Sequence, residues 1–306
     1  MSEMRFDGRV AIITGAGGNP SLGRVYALLL ASRGAKVVVN DLGVGPDGRG
    51  GRPAHPEAVV KEILDAGGEA ILDTHSVADQ GSAEAIVATA LDAWGKVDIL
   101  INNAGVVALA EFDEITPSDI EKILAAHLFG SIWVTRAVWP HMKEAGYGRI
   151  VSAASGSMLG QRYQTIYGAA KGGIWALTRS LAVEGAAHGI RANSIGPGAR
   201  TAMSELCAKE ELVAHMPPAE LVAPTVAYLC HQDCEVSGGY FTVAAGATRL
   251  GLFAETEGIF DPGITLEGVR DNFGKIMNTD RHTLTQEPLD NPMSEIIQPK
   301  HPYAPA

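Results

Sequence analysis

From Val10 to Val243, short apolar runs of strand length alternate with longer stretches of helical periodicity, and few folds are open to such a chain. Strands buried on both faces read as continuous apolar runs, and helices between them return the chain so that successive strands lie parallel. The strand-length runs are Val10–Thr14, Lys36–Asp41, Glu69–Thr74, Val97–Asn102, Arg149–Ser155, Arg191–Ile195 and Gly239–Val243. Helical patterns include Ser21–Arg33, Ser82–Trp94, Thr116–Ala145 and Ile166–His188. The expected fold class is α/β, a doubly wound parallel sheet, forming one domain over 1–248. An extension, 249–306, follows with weak helical patterning at Leu266–Met277, and it is expected to cover the substrate site or a neighbouring subunit.

Composition narrows the function classes. Among 306 residues, 24 Lys+Arg stand against 35 Asp+Glu, a net charge of −11 that argues against nucleic acid as a partner. No apolar run approaches the roughly 18 residues of a spanning helix, and MSEMRFDGRV is too polar for a signal peptide. A cytoplasmic protein without membrane partners is expected. The three cysteines are too few for a disulfide framework. Cys230-His231-x-x-Cys234 has no second ligand pair at zinc spacing, and its first cysteine continues the apolar face of Ala227-Tyr228-Leu229, so no metal site is expected.

Where the first strand ends, Thr14-Gly15-Ala16-Gly17-Gly18-Asn19-Pro20-Ser21-Leu22-Gly23 leads into a helix. Glycines let the backbone approach a pyrophosphate, and the free N–H groups of a helix start favour its charge. The second strand ends in Asp41, at the place where a carboxylate takes the adenosine ribose hydroxyls and repels a 2′-phosphate. NAD is therefore expected over NADP. The Gly- and Pro-rich insert Gly43–Pro56 follows directly, and its Arg49 and Arg52 offer cations beside the adenosine end for a phosphorylated substrate such as a CoA ester. Further on, Tyr167 and Lys171 stand at i,i+4 spacing in a helical pattern, so phenol and ammonium share a face. The ammonium is expected to lower the phenol's pKa from about 10 toward useful acid–base range. Ser155, at the end of the preceding strand, adds a hydroxyl.

In this order, the Gly-rich turn, Asp41, Asn102-Asn103-Ala104-Gly105, Ser155 and Tyr167/Lys171 resemble the short-chain dehydrogenase/reductase family over roughly residues 5 to 246. The resemblance implies a Rossmann fold with Tyr167 as general acid/base, Lys171 holding the nicotinamide ribose and Ser155 orienting the substrate oxygen. It also implies a cofactor cleft drawn from Gly15, Ser21, Leu22, Gly23, Asp41, Ser76, Val77, Asn103, Ala104, Gly105, Tyr167, Lys171, Pro197, Gly198 and Thr201. Within that family the chain resembles the dehydrogenase part of the peroxisomal multifunctional enzymes of β-oxidation. VVVNDLG, HLFGS at 127–131, PHMKEAGYGRI at 140–150, LAVEGAAHGI at 181–190 and LVAPTVAYLCHQDCE at 221–235 carry that likeness. It implies oxidation of a (3R)-hydroxyacyl-CoA and a homodimer or homotetramer paired through the two long helices.

Three features depart from the family pattern. The Gly-x5-Ser-x-Gly spacing of the first turn places Ser21 where a glycine is usual, and Pro20 removes one N–H. His127 falls where the family's tetrad has asparagine, and either holds a water for a proton relay or is a packed helix histidine. The Ser155–Tyr167 gap is one residue short, which leaves Ser157 as a substitute hydroxyl. Gln161, Arg162, Tyr163, Met203, Leu206 and Phe253 are expected around the substrate. Two alternatives to the acyl-CoA function are a dehydrogenase of hydroxysteroids or other bulky secondary alcohols, and a catalytically silent NAD-binding protein.

Overall fold

The computed structural model describes residues 3–48, 50 and 55–285. The first unit, 1–250, alternates strands and helices: β1 (Val10–Thr14), α1 (Leu22–Ser32), β2 (Lys36–Asn40), α2 (Pro56–Asp65), β3 (Glu69–Asp73), α3 (Gln80–Trp94), β4 (Ile99–Asn102), α4 (Pro117–Leu124), α5 (Gly130–Ala145), β5 (Gly148–Ala153), α6 (Thr165–Ala186) and β6 (Ile190–Gly198). Three short helices follow, α7 (Ala202–Cys207), α8 (Glu210–Val213) and α9 (Ala223–Cys230), and then β7 (Tyr240–Ala244) and β8 (Ala247–Gly251). The sheet order is β3-β2-β1-β4-β5-β6-β7-β8, and every pairing from β3 through β7 is parallel.

Side chains alternate across this sheet and fill two cores. Ile13, Val37, Val39 and Ile101 face one side with Tyr26 and Leu30 of α1, Ile63 of α2 and Val226 of α9. Ile12, Val38, Leu100 and Ile150 face the other with Ile86 of α3 and Val134 and Met142 of α5. Strands buried on both faces are why β1, β2 and β4 read as unbroken apolar runs.

Local chemistry sets the element ends. Ser21 caps α1, its hydroxyl accepting from Arg24 N at 3.4 Å, and Asp79 caps α3 through Ser82 N at 2.9 Å. Gly95 closes α3 in the left-handed region at φ 73°. The expected helix Thr116–Ala145 is instead three pieces: α4, a π-helical stretch at Ala125–Phe129, and α5. Ser155 lies beyond β5, as the cap of a 3₁₀ turn at Gly156–Leu159.

The second unit, 251–306, holds β9 (Phe253–Thr256), α10 (Leu266–Ile276) and β10 (His282–Thr285), with β9 and β10 paired antiparallel. The helix matches the weak pattern expected at Leu266–Met277. No described residue of α10 is buried. Arg49 and Arg52 of the insert lie outside the described residues.

Candidate active site

The sheet order reverses between β1 and β4, and in such sheets ligands bind in the crevice beyond the strand C-termini at that point. Register brings the strand ends level there, with Thr14 opposite Asn40 and Ile13 opposite Ile101. One cleft runs along this edge, from Asp41 and His75 at one end to Ser155, Tyr167 and Lys171 at the other.

At the first end, Gly15 has φ 65°, and a Cβ there would lie 2.7 Å from Ala104 Cα, so only glycine fits the turn. Thr14 ties this turn to the loop after β4, its Oγ1 accepting from Asn103 N (3.0 Å) and Ala104 N (3.1 Å). Asn103 returns the bond, Nδ2 donating to the carbonyls of Thr14 and Gly15, both at 3.0 Å. Gly23 is packed behind the turn, where a Cβ would meet Gly15 O at 2.4 Å. Asp41 is partly occupied by backbone: Oδ2 accepts from Gly17 N (2.8 Å) and Oδ1 from Gly43 N (2.9 Å). Burial pushes its carboxyl up despite those two bonds. The carboxylate thus fixes the glycine turn and keeps lone pairs for further donors.

Asp73 supports the same end. It is buried; Oδ1 accepts from Asn40 Nδ2 (2.6 Å) and His75 N (3.0 Å), Oδ2 accepts from Thr89 Oγ1 (2.7 Å), and His75 Nδ1 lies 2.9 Å from Oδ2. The insert enters the cleft with Val44, Gly45 and Pro46, held where Val107 N donates to Pro46 O at 2.9 Å.

At the other end, Lys171 is buried, and its ammonium donates to the Ala153 carbonyl. Its Nζ sits 5.3 Å from the centre of the Tyr167 ring, over its face. The expected effect of Lys171 on Tyr167 is not what this arrangement produces. Burial pushes the Tyr167 phenol up to about 12, against a downward pull from the Ser155 hydroxyl, and burial pushes Lys171 down to about 7. Desolvation by burial is the largest influence on both groups.

His127 stands in the π-helical stretch, its ring 5.1 Å from that of Tyr167 and nearly perpendicular. Its Nε2 is 2.7 Å from Val106 O and 3.1 Å from Val106 N. The shorter contact favours a proton on Nε2, which leaves Nδ1 as a bare acceptor; Nδ1 is buried without a hydrogen-bond partner. Burial first, then the nearby Lys171, hold the ring well below the ordinary imidazole range.

Of the residues expected in the cofactor cleft, Gly15, Ser21, Leu22, Asp41, Val77, Asn103, Ala104, Gly105, Tyr167, Lys171, Pro197 and Thr201 line it. Ser76, Gly23 and Gly198 do not: Ser76 turns to cap Ala78 N at 3.1 Å, and Gly198 packs against Ala244. Of the expected substrate residues, Met203 lines the cleft. Arg162 pairs instead with Glu111 at 2.8 Å, and Tyr163 is exposed with φ 66°. Phe253 belongs to the second unit. Sequence reasoning missed Asn40, Leu42, His75 and Val106. Proximity to Asp41 in the chain was the available signal for the first two.

Residues 9–211 match the family described as short chain dehydrogenase. The chain belongs to this family. A mouse relative, peroxisomal multifunctional enzyme type 2, is 44% identical over 280 residues, which is 90% of this short-chain dehydrogenase and 37% of the mouse protein. The chain therefore spans well under half the length of that relative. The solved full-length peroxisomal multifunctional enzyme type 2 of Drosophila melanogaster superposes with a TM-score of 0.74 at 35% identity, covering 92% of this chain and 47% of that one. A short chain dehydrogenase from Mycobacterium avium superposes with a TM-score of 0.76 at 36% identity, covering 90% and 98%. Family members use nicotinamide cofactors, and the cleft fits one: a glycine cradle that a Cβ would fill, a helix start capped by Ser21, and a carboxylate at the second strand end. No described helix is long and apolar enough to cross a membrane.

Proposed function

We propose that this short-chain dehydrogenase transfers a hydride between NAD and a secondary alcohol or ketone, with a (3R)-hydroxyacyl-CoA as the substrate class. The observation that carries the reading is one cleft holding Asp41 at one end and Ser155, Tyr167 and Lys171 at the other. The acyl-CoA class rests on the multifunctional-enzyme relatives. Thr14, Gly15 and Asn103 shape the turn for the pyrophosphate, and Asp41 receives the ribose hydroxyls. When bound, NAD supplies the hydride acceptor and a positively charged ring. Ser155 holds the substrate oxygen, and Tyr167 exchanges the proton with it. With its phenol pushed up to about 12, Tyr167 is set as an acid toward a ketone. As a base toward an alcohol it needs positive charge in the cleft. Lys171 holds the Ala153 carbonyl beside the site, and neutral His127 offers Nδ1 as an acceptor for an ordered water. Screening NADH formation over acyl-CoA chain lengths and a steroid panel tests the class. Turnover of steroids alone would replace the acyl-CoA assignment.

Cofactor choice gives a separate expectation. NAD should bind more tightly than NADP by calorimetry, and Asp41→Ala should narrow the gap by removing both ribose bonds and repulsion. Because Asp41 also holds Gly17 and Gly43, the variant should weaken NAD itself by about tenfold or more. Tighter binding of NADP to the wild-type chain would contradict the role given to Asp41.

We further propose that α5 and α6 pair with their copies in a symmetric oligomer. Trp133 and Trp139 of α5 and Leu177 of α6 are only half-buried, and Val183 is exposed. Light scattering at micromolar concentration should give a dimer or tetramer; a monomer would refute the pairing.

A further inference from the structure

Ser155 sits in a chain of hydroxyl and amide groups that runs away from the cleft. Its Oγ accepts from Ser157 N at 3.2 Å and lies 3.1 Å from Ser157 Oγ. Ser157 is buried, and its Oγ also lies 2.9 Å from Gln161 Oε1 and 2.8 Å from Gln164 Oε1. Gly168, next to Tyr167, packs against the Ser157 carbonyl, where a Cβ would lie 2.7 Å away, so Ser157 lies against the helix that carries the phenol.

One hydroxyl proton cannot serve three acceptors. With both glutamine oxygens facing it, Ser157 donates to one and leaves the other without a proton, while Ser155 donates to Ser157 rather than toward the substrate. The reverse order relieves both. The glutamine amides present N–H to Ser157 Oγ, Ser157 donates to Ser155 Oγ, and the Ser155 proton points into the cleft. A half-turn of each amide exchanges oxygen for nitrogen at the same place, which gives this order. Successive donation in one direction also polarises the last hydroxyl.

We propose that Ser157, anchored by Gln164, is a positioning residue that aims the Ser155 proton at the substrate oxygen. The inference rests on the dehydrogenase reading above. Ser157 is then not a substitute hydroxyl for the substrate, because it acts only through Ser155. Gln161 is exposed and secondary; Gln164, half-buried at the start of α6, sets the direction.

The decisive substitution is Gln164→Glu. It keeps the shape but makes the side chain an acceptor only, so Ser157 must donate to it and the chain reverses. With (3R)-hydroxydecanoyl-CoA and NAD, Gln164→Glu should lower kcat by roughly 10- to 100-fold, less than the roughly 10²- to 10³-fold lost when a donor to the reacting oxygen is removed outright. Gln164→Ala should cost only a few-fold, and Ser157→Thr should retain most of the activity that Ser157→Ala loses. NADH binding by fluorescence and the melting temperature should stay near wild type in all four. The added charge is controlled by Ser157→Ala/Gln164→Glu, which should be no slower than Ser157→Ala alone, since the carboxylate then has no proton to capture. Equal losses in Gln164→Glu and Gln164→Ala, or losses that add in the double variant, would overturn the proposal and leave the dehydrogenase reading intact. A wild-type chain that binds NADH but turns over neither this substrate nor any in the screen would overturn both.

Discussion

Tyr167→Phe should lower turnover by about 10²- to 10⁴-fold, the range carried by a general acid–base group, with NAD affinity nearly unchanged. Only one oxygen is removed, the phenol oxygen whose pKa the Ser155 hydroxyl pulls down. The ring contacts to His127 and Lys171 remain, so the fold around the site should persist. Steady-state kinetics beside calorimetry separates the two effects, because loss of a group used only in the transition state lowers kcat and kcat/KM together. A variant that kept a tenth of the wild-type rate would require another base. Lys171→Ala should behave differently and damage both binding and rate, since its ammonium lies beneath the site on the Ala153 carbonyl.

Gly105→Ala should destabilise the protein by about 1–3 kcal/mol or more through overpacking. A Cβ at this position would lie 1.9 Å from His127 Cε1 and 2.5 Å from its Nδ1. The ring cannot retreat, because it is buried and its Nε2 is held at Val106. Displacement would instead push the loop after β4 into the cofactor cleft, so NAD affinity should fall as well. His127→Ala vacates the clashing volume. Denaturant unfolding of both single variants and the double should therefore show coupling, with the double more stable than the sum of the two losses predicts. Additive losses would mean that the loop, and not the histidine, limits what position 105 holds.

The parallel sheet was legible because β1, β2 and β4 are buried on both faces, which leaves a run such as Val10-Ala11-Ile12-Ile13 with few alternatives. Both caps of α1 fall at Ser21 and Arg33, the ends of its sequence pattern. The π-helical stretch at Ala125–Phe129 was not legible, since one inserted residue leaves the apolar pattern of Thr116–Ala145 nearly continuous. The paired strands β9 and β10 were also missed, because Phe253-Ala-Glu-Thr and His282-Thr-Leu-Thr are short and mostly exposed. At the site, residue types announced Ser155, Tyr167 and Lys171, but the direction of the Tyr167 shift depends on burial, which spacing does not encode. Ser76 and His75 show the same limit: neighbours in sequence, only His75 reaches the cleft.

Isotope transfer follows the hydride itself. A (3R)-hydroxyacyl-CoA carrying deuterium at C3 is incubated with NAD and the wild-type chain, and the nicotinamide product is weighed by mass spectrometry. Direct hydride transfer at the Ser155–Tyr167 end of the cleft predicts one deuterium in the NADH and a 3-ketoacyl-CoA formed in equal amount, with Tyr167→Phe nearly silent. Unlabelled NADH, or NAD bound but unreduced across the alcohol panel, would contradict it.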